Sequence, residues 1–360
     1  MYRGYQFRLY PNKEQQRKIL MNISYARFLY NKMLEDSIAY YKETGKALHR
    51  TPAYYKKQFP WLREADSLCL NNSHQQLRSA FQNFFEKRTR YPKFKSRHHS
   101  KWCYTTNSLK NSIRIENHRI QLPKIGWVKV RDHRPPIGIL KKVTVSYTRS
   151  GKYFVSCEYE APDTKADPVP VEKAIGLDYS SPHLYVDSNG NIPSYPCCFR
   201  QSEKKLAREQ RKLSHMKKFS NNWFKQKRKV SRIHEHISNQ RLDFLHKLSA
   251  QIANEYDLVG IETLNMGNMS RSLHLGKSTM DNGFGMFSRF LEYKLKDRGK
   301  QLVKVPWNYA STKTCHICGN KKPMKLSDQI YVCPICGQIS DRDINAAINI
   351  RSKSLELAAL

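Results

Sequence analysis

The sequence predicts an α/β chain joined to a small β-barrel. Three observations carry that reading. Between residues 112 and 160, short segments alternate apolar and polar residues, with Gly, Pro and Asn between them, the pattern of short antiparallel strands. Further on, two apolar strands, 173–178 and 257–262, each end in a carboxylate and are separated by a long helical stretch. Near the C-terminal end, two Cys-x2-Cys pairs flank a short insert.

The elements follow in order. Tyr5, Phe7 and Leu9 share one face of residues 2–10, Arg8 and Tyr10 lie on the other, and Pro11 closes this first strand. Residues 12–41 read as a helix from the spacing of Gln15, Ile19, Ile23, Phe28 and Leu29. Residues 67–88 read as a second, with Leu68, Leu77, Phe81, Phe84 and Phe85, and Pro92 as its stop. Strands are expected at 112–115, 119–122, 128–130, 143–147 and 153–159, with 2–10 completing the barrel and the helices as an insertion into it. Residues 161–172 hold three prolines and read as a linker. Beyond it come strands at 173–178 and 183–187, a turn at Ser188-Asn189-Gly190 and a third strand at 192–199. Residues 201–254 form a helical hairpin or one long helix, with Val230, Ile233, Ile237, Leu245, Leu248 and Ile252 as its apolar stripe. The strand 257–262, a helix at 284–298, a strand at 302–305 and a helix starting at Asp341 complete the order.

Charge narrows the function. Among 360 residues, 64 Lys and Arg oppose 30 Asp and Glu, a formal charge of +34. A chain this self-repelling calls for a polyanionic partner, and nucleic acid is the first candidate because binding releases condensed counterions. The cations are spread along the whole chain rather than gathered on one amphipathic helix, which argues against an anionic membrane surface. Aromatic residues interleave with them, most densely in Lys87–Arg97, where Tyr91 and Phe94 alternate with Lys93, Lys95 and Arg97; this suits unpaired bases. Tyr91 and Phe94 either stack on bases or pack beneath the loop. The helical region supplies Lys204, Lys205, Arg208, Lys225 and Arg228 as further contacts, against the alternative of an ordinary solvated face. No run of about 18 apolar residues is present, and the first residues lack the apolar core of a signal peptide. The expected place is the cytoplasm of a prokaryote, at the nucleoid.

Nine cysteines in a chain of this kind do not read as a disulfide framework. Cys315-x2-Cys318 and Cys333-x2-Cys336, fourteen residues apart, have the spacing that places four thiolates around one Zn²⁺. Gly319 and Gly337 follow the second cysteine of each pair and permit the tight turn. Four sulfur ligands leave no open position, so the metal is structural. His316, inside the first pair, is an alternative ligand.

Three carboxylates stand apart. Asp178 and Glu262 end apolar strands, and Asp343 opens the helix beyond the cysteines. Acids presented on one sheet edge are what a two-metal phosphodiesterase needs, two Mg²⁺ being held by hard oxygen ligands. Each acid alone would read as a cap or turn residue; their conjunction with the ribbon and the charge lifts the catalytic reading.

At these residues the sequence resembles the TnpB (OrfB) family of transposon-encoded, RNA-guided DNA endonucleases, relatives of the type V CRISPR effectors. The resemblance rests on Lys173–Asp178, Val259–Leu264, the two cysteine pairs and Asp341-Arg342-Asp343-Ile344-Asn345-Ala346-Ala347-Ile348-Asn349-Ile350. It implies a RuvC-like, RNase H-type nuclease domain at 173–310 and 341–360, containing the basic helical region 201–254, with a zinc ribbon at 311–340. It also implies a wedge β-barrel at 1–11 and 101–172, with a helical recognition lobe inserted at 12–100. The implied triad is Asp178, Glu262 and Asp343, chosen over Asp341 because the family's acid precedes x-Asn-Ala-Ala. The implied partners are a guide RNA from the transposon end and a double-stranded DNA target beside a short transposon-associated motif, which Gln75, Gln76 and Arg78 would approach. Monomer and dimer stay open. One position departs from the pattern: many relatives carry Asp-x-Gly where this chain has Asp178-Tyr179-Ser180. Two other readings remain, a catalytically silent RNA-guided or zinc-ribbon DNA-binding regulator and a transposase that joins strands itself.

Overall fold

In the computed structural model, residues 2–97, 100–162, 166–272, 281–325 and 328–359 are described. The chain divides into two units, Met1–Asp163 and Thr164–Leu360.

The first unit is built on a seven-stranded antiparallel sheet. Its strands are β1 (Tyr2–Tyr10), β2 (Trp102–Asn107), β3 (Ile115–Glu116), β4 (Arg119–Leu122), β5 (Gly126–Arg131), β6 (Ile139–Tyr147) and β7 (Tyr153–Glu160), in the spatial order β2-β6-β7-β1-β5-β4-β3. The expected barrel is an open sheet: β2 and β3 stand at its edges, and no ladder joins them among the described residues. With two residues, β3 is too short to offer a closing edge. It replaces the strand expected at 112–115, because Lys110 and Asn111 adopt left-handed backbone at φ +48° and +57° and turn the chain there. Strand β2 was not expected from the sequence.

Helix α1 (Lys13–Thr44) begins at a reciprocal cap, in which Asn12 Oδ1 accepts the Gln15 N–H at 2.8 Å and Gln15 Oε1 accepts the Asn12 N–H at 3.0 Å. A short α2 (Pro52–Gln58) leads to α3 (Ser67–Phe85). Helix α3 stops well before Pro92. Lys87 turns left-handed at φ +58°, and the N–H groups of Arg88 and Thr89 close on the Asn83 carbonyl. Ile19, Ile23 and Ala26 of α1 and Cys69 of α3 share one core with Phe7, Leu9, Val128, Val143 and Val155 of the sheet. A second core, around Leu29, Leu34, Tyr55, Leu62, Leu70 and Leu77, is purely helical.

The second unit holds a four-stranded sheet of β8 (Ala174–Ser180), β9 (Leu184–Asp187), β10 (Leu258–Glu262) and β11 (Gln301–Val305), ordered β11-β10-β8-β9. β8, β10 and β11 are parallel, and β9 returns antiparallel to β8. The strand expected at 192–199 does not form: Pro193 and Pro196 cannot donate to a ladder, and Cys197 at φ +45° turns the chain into a helix. Residues 198–255 are a hairpin of two helices, α4 (Cys198–Ser214) and α5 (Asn221–Glu255), the second capped by Ser220. Then come α6 (Met266–Ser272), α7 (Phe284–Lys296) and α8 (Arg342–Ala358).

The two faces of this sheet differ in kind. Ile175, Leu177, Val259 and Ile261 face Leu245 and Ile252 of α5 and Phe287, Leu291 and Leu295 of α7. By alternation the other face carries Gly176 and Asp178 on β8, Gly260 and Glu262 on β10. Gly176 and Gly260 are register partners. A methyl group at Gly176 would lie 2.1 Å from the Ala347 carbonyl oxygen, and one at Gly260 would lie 2.1 Å from Ser354 Oγ. Both neighbours belong to α8, which rests directly on the strand backbones.

Gly176→Ala must therefore push α8 from the sheet, an overpacking cost of about 1–3 kcal/mol or more. Gly4→Ala meets nothing within 4 Å and should be close to neutral. Urea unfolding midpoints of the two variants would test this; equal midpoints would refute the packing argument.

Candidate active site

Asp178 is not the strand end that the sequence suggested: β8 continues through Tyr179 and Ser180. Glu262 does end β10. The register pairs Leu177 with Ile261, so the next residues on each strand, Asp178 and Glu262, stand side by side on neighbouring strands about 4.8 Å apart. Asp343 is in the first turn of α8, whose body lies on the same sheet face.

Electrostatics records the convergence. Burial, then the charges of Glu262 and Asp343, push the Asp178 carboxyl well above the usual range, and the nearby Arg342 opposes them only in part. Glu262 is also raised by burial, while Ser311 Oγ–H donates to its Oε1 and partly relieves it. Asp341 and Asp343 have different duties. Asp341 Oδ1 accepts the N–H groups of Asp343 at 2.8 Å and Ile344 at 3.1 Å, so this acid is the helix cap. Asp343 is held instead by Arg342, whose Nε and Nη2 lie 2.9 and 2.8 Å from Oδ1. Carboxylate oxygens are the donors that hard divalent cations such as Mg²⁺ take, although among the described residues only the four cysteines bring their ligand atoms within 4.8 Å of one another.

The departure at Tyr179-Ser180 is absorbed by this geometry. Tyr179 points to the opposite face, edge-on to Phe284 with centroids 5.0 Å apart, and its hydroxyl accepts from Asn282 Nδ2 at 3.3 Å. The chain reverses further on, where Leu184 takes φ +82°.

The four ribbon cysteines come together, with all sulfurs within 4.8 Å of one another. Cys315 and Cys336 Sγ are 3.6 Å apart, Cys318 and Cys333 Sγ 3.5 Å. Bonds of about 2.3 Å around a tetrahedral Zn²⁺ space sulfurs by about 3.8 Å, so the set fits that ion. Backbone N–H groups of Cys336 and Ile335 lower the Cys333 thiol, while the neighbouring sulfurs of Cys333, Cys318 and Cys315 raise that of Cys336. Gly319 and Gly337 adopt φ +74° and +72°, as the turns require. His316 is turned elsewhere: its Nδ1 lies 2.9 Å from Asn345 Oδ1. Asn345 and Asn349 of α8 donate to the Thr314 carbonyl at 2.8 and 2.6 Å, and Asn349 also to that of Ser311 at 2.8 Å. The helix that bears Asp343 thus grips the root of the ribbon.

The expected nucleic-acid residues fall into two groups. Gln75, Gln76 and Arg78 are exposed along α3. Lys95 reaches back to Gln76 Oε1 at 2.7 Å and lies 3.9 Å over the Tyr30 ring. Lys93 is exposed, and Arg97 lies 5.4 Å over the Trp102 ring. Tyr91 packs edge-on to Phe84 and Phe81, at 5.1 and 5.8 Å, while staying 45% exposed. In the other unit, Lys204, Lys205, Arg208, Lys225 and Arg228 are exposed on the α4–α5 hairpin. Buried Glu209 ties that hairpin, its Oε2 accepting from Gln226 at 2.8 Å and Lys229 at 3.0 Å, which hold its carboxyl down at about 2.

Sequence reasoning missed Ser311, Arg342, Asn345, Asn349 and the two glycines. The signal for the glycines was in view: Gly176-Leu177-Asp178 and Gly260-Ile261-Glu262 repeat one pattern of glycine, apolar residue, acid.

Two outcomes follow. Metal analysis of purified protein should find about one zinc per chain, and Cys318→Ser should lose it together with the protease resistance of the ribbon; full resistance without zinc would sink the assignment. Separately, Asp178 holds its proton more tightly folded than unfolded. Its contribution to stability is therefore present at low pH and is lost as the pH rises from about 4 through the higher folded value. In metal-free protein, Asp178→Asn should flatten that decline and raise the thermal midpoint at neutral pH. An unchanged pH slope would show that neither burial nor the neighbouring acids raise the Asp178 carboxyl.

Residues 154–273 match the OrfB_IS605 family, described as "Probable transposase", and residues 284–350 match "Cas12f1-like, TNB domain". Residues 1–46 match a "Helix-turn-helix domain" of the same group, although here they form one strand and one helix. "Putative RNA-guided DNA endonuclease InsQ" of Escherichia coli (strain K12) is 33% identical over 374 residues, 96% of this chain and 91% of its own. A "Putative RNA-guided DNA endonuclease" of Streptomyces pristinaespiralis is 33% identical over 368 residues, 99% of this chain and 90% of its own. In fold, the chain resembles the Cas12f1 protein of a Cas12f1-sgRNA-target DNA complex, with a TM-score of 0.55 at 15% identity, over 94% of this chain and 82% of that one. Similarity that runs nearly end to end through both relatives, on a sheet that gathers the three acids, means that this chain belongs to the TnpB (OrfB) family.

Proposed function

We propose that the protein is an RNA-guided endonuclease that hydrolyses DNA next to a short transposon-associated motif and so supports maintenance of the transposon that encodes it. The observation that carries this reading is the gathering of Asp178, Glu262 and Asp343 at one sheet edge under the first turn of α8. The family membership and the excess of cations support it. In the same proposal, the guide RNA comes from the transposon end. Residues 1–11 and 101–172 serve as a wedge with a recognition lobe at 12–100, and the second unit carries a RuvC-like domain with its ribbon.

Two Mg²⁺ held by the three acids would supply an activated water and stabilise the leaving oxygen of the phosphodiester. The chain's own groups prepare that site. Ser311 orients the Glu262 carboxylate by donating to Oε1. Arg342 fixes Asp343 through Oδ1. Asp341 completes the helix start and so secures the position of Asp343. Water serves as the nucleophile and the 3′ oxygen is the leaving group, taking up a proton, so the products are a 5′-phosphate and a 3′-hydroxyl.

Asp178→Ala, Glu262→Ala and Asp343→Ala should each abolish cleavage of a guide-matched duplex in Mg²⁺ while leaving RNA and DNA binding near wild type. A double variant should be no worse than a single one, since the acids act as a unit. Asp341→Ala should lose about 1 kcal/mol of stability as a lost cap and still cut. If Asp341→Ala is the dead variant and Asp343→Ala is not, the third ligand is misassigned. Wild type that binds and never cuts would favour the silent regulator, and strand-transfer products a joining transposase.

A further inference from the structure

The first unit contains a recess that the nuclease reading does not use. It has a volume of about 150 Å³ and lies where α1, α3 and β2 meet the segment around Lys95. Every charged side chain that lines it is a cation: Arg27, Lys95 and Lys101. A fourth, Arg97, adds its repulsion at Arg27. Among the described residues, Arg27 and Lys101 have no hydrogen-bond or ion-pair partner. Lys95 has only the neutral Gln76 side chain and the Tyr30 ring. Burial pulls the Arg27 and Lys95 charges down, the mark of cations that lack a counter-ion. Tyr104 also lines the recess; it is 3% exposed, and its hydroxyl finds no partner. A buried hydroxyl left unpaired costs stability, so its persistence needs a reason.

Size and chemistry together select the occupant. Sites for drug-sized molecules span roughly 300–1,000 Å³, so this recess is too small for a nucleoside and roomy for one tetrahedral anion. Ser73 and Ser100 add hydroxyls to its wall. Cations without an acid among them, next to hydroxyl donors, match a phosphate and repel a metal ion or an ammonium group.

We propose that the recess seats one backbone phosphate of a bound nucleic-acid strand, with Arg27 and Lys101 on its oxygens, Lys95 behind them and the Tyr104 hydroxyl donating. The proposal rests on the nucleic-acid reading above only for the strand that supplies the phosphate, which can be RNA or DNA. Seating a single phosphate fixes the register of that strand on the first unit without reading its sequence.

The test uses the full-length protein, its Arg27→Gln/Lys101→Gln double variant and Tyr104→Phe. The probes are inorganic phosphate, the RNA that copurifies with the protein and a DNA duplex matched to that RNA. Phosphates are ethylated at random and the bound and free fractions compared. In wild type, ethylation at one or two neighbouring positions should block binding. In the double variant those positions should become silent, and the salt dependence of log affinity should lose about one unit of slope per cation removed. The strand that carries them identifies the source. Tyr104→Phe should weaken the same positions while raising the melting temperature of the nucleic-acid-free protein, because an unpaired hydroxyl is gone. Inorganic phosphate should raise the melting temperature of wild type and not of the double variant. Identical interference in wild type and variants overturns the proposal. A response to inorganic phosphate with no change in interference reduces the recess to an adventitious ion only and overturns it too. Wild type that binds neither nucleic acid, yet still separates from the double variant in phosphate, would refute the nucleic-acid reading and leave an anion site.

Discussion

The second unit depends on how closely one helix approaches one sheet. Gly176 and Gly260 face each other across β8 and β10, and α8 lies where their side chains would have been. Residues two places on, along the same strands and the same face, are Asp178 and Glu262. The contact that brings α8 down also brings its first turn, and with it Asp343, close enough for its charge to act on Asp178. Backbone packing and ligand placement are thus one constraint. Asn345 and Asn349 extend it to the ribbon, because they spend their amides on carbonyls at its base. A site made of three acids needs that rigidity: like charges in a low-dielectric place drive their holders apart unless something else fixes them.

Charge is arranged in opposition. The chain is strongly cationic overall, yet the site gathers its acids where burial raises their cost. A polyanion drawn by the surface therefore meets local repulsion at the acids until cations neutralise them. Under the proposed function, basic surface and acidic site together would restrict phosphodiester approach to the metal-loaded protein. The buried Glu209 is a different use of an acid. It holds α4 against α5 through Gln226 and Lys229, and so keeps a densely cationic hairpin from splaying.

Much of this was legible in the sequence. Period-two alternation located five of the seven strands of the first sheet, β1 and β4 to β7, because their side chains alternate between a more buried and a more exposed face. Strand β2 escaped because Trp102–Asn107 follows a cationic stretch and its faces contrast weakly, Trp102, Tyr104 and Thr106 on one and Cys103, Thr105 and Asn107 on the other. Closure of the sheet was misread because it turns on the length of β3, which left-handed Lys110 and Asn111 decide. The cysteine spacing specified its cluster outright, since four ligands around one ion leave little freedom. The three acids were legible as residues, but their meeting was not, because it depends on strand register and on a helix resting on glycine. Alternation could not rule on residues 192–199 either, where two prolines and a left-handed cysteine outweigh a favourable composition.

The order of the site residues along the chain has a kinetic consequence. Successive acids are roughly eighty residues apart, with the helical hairpin between the first two and the ribbon between the last two. Contacts of such separation form late, because loop closure must be completed before they gain anything. Parallel strands β8 and β10 must pair, and α8 must then dock through the ribbon, before all three carboxylates share one place. A nascent, partly folded or clipped chain therefore carries the exposed cations but not the assembled acids. Topology makes the meeting of the three acids the last feature the chain acquires.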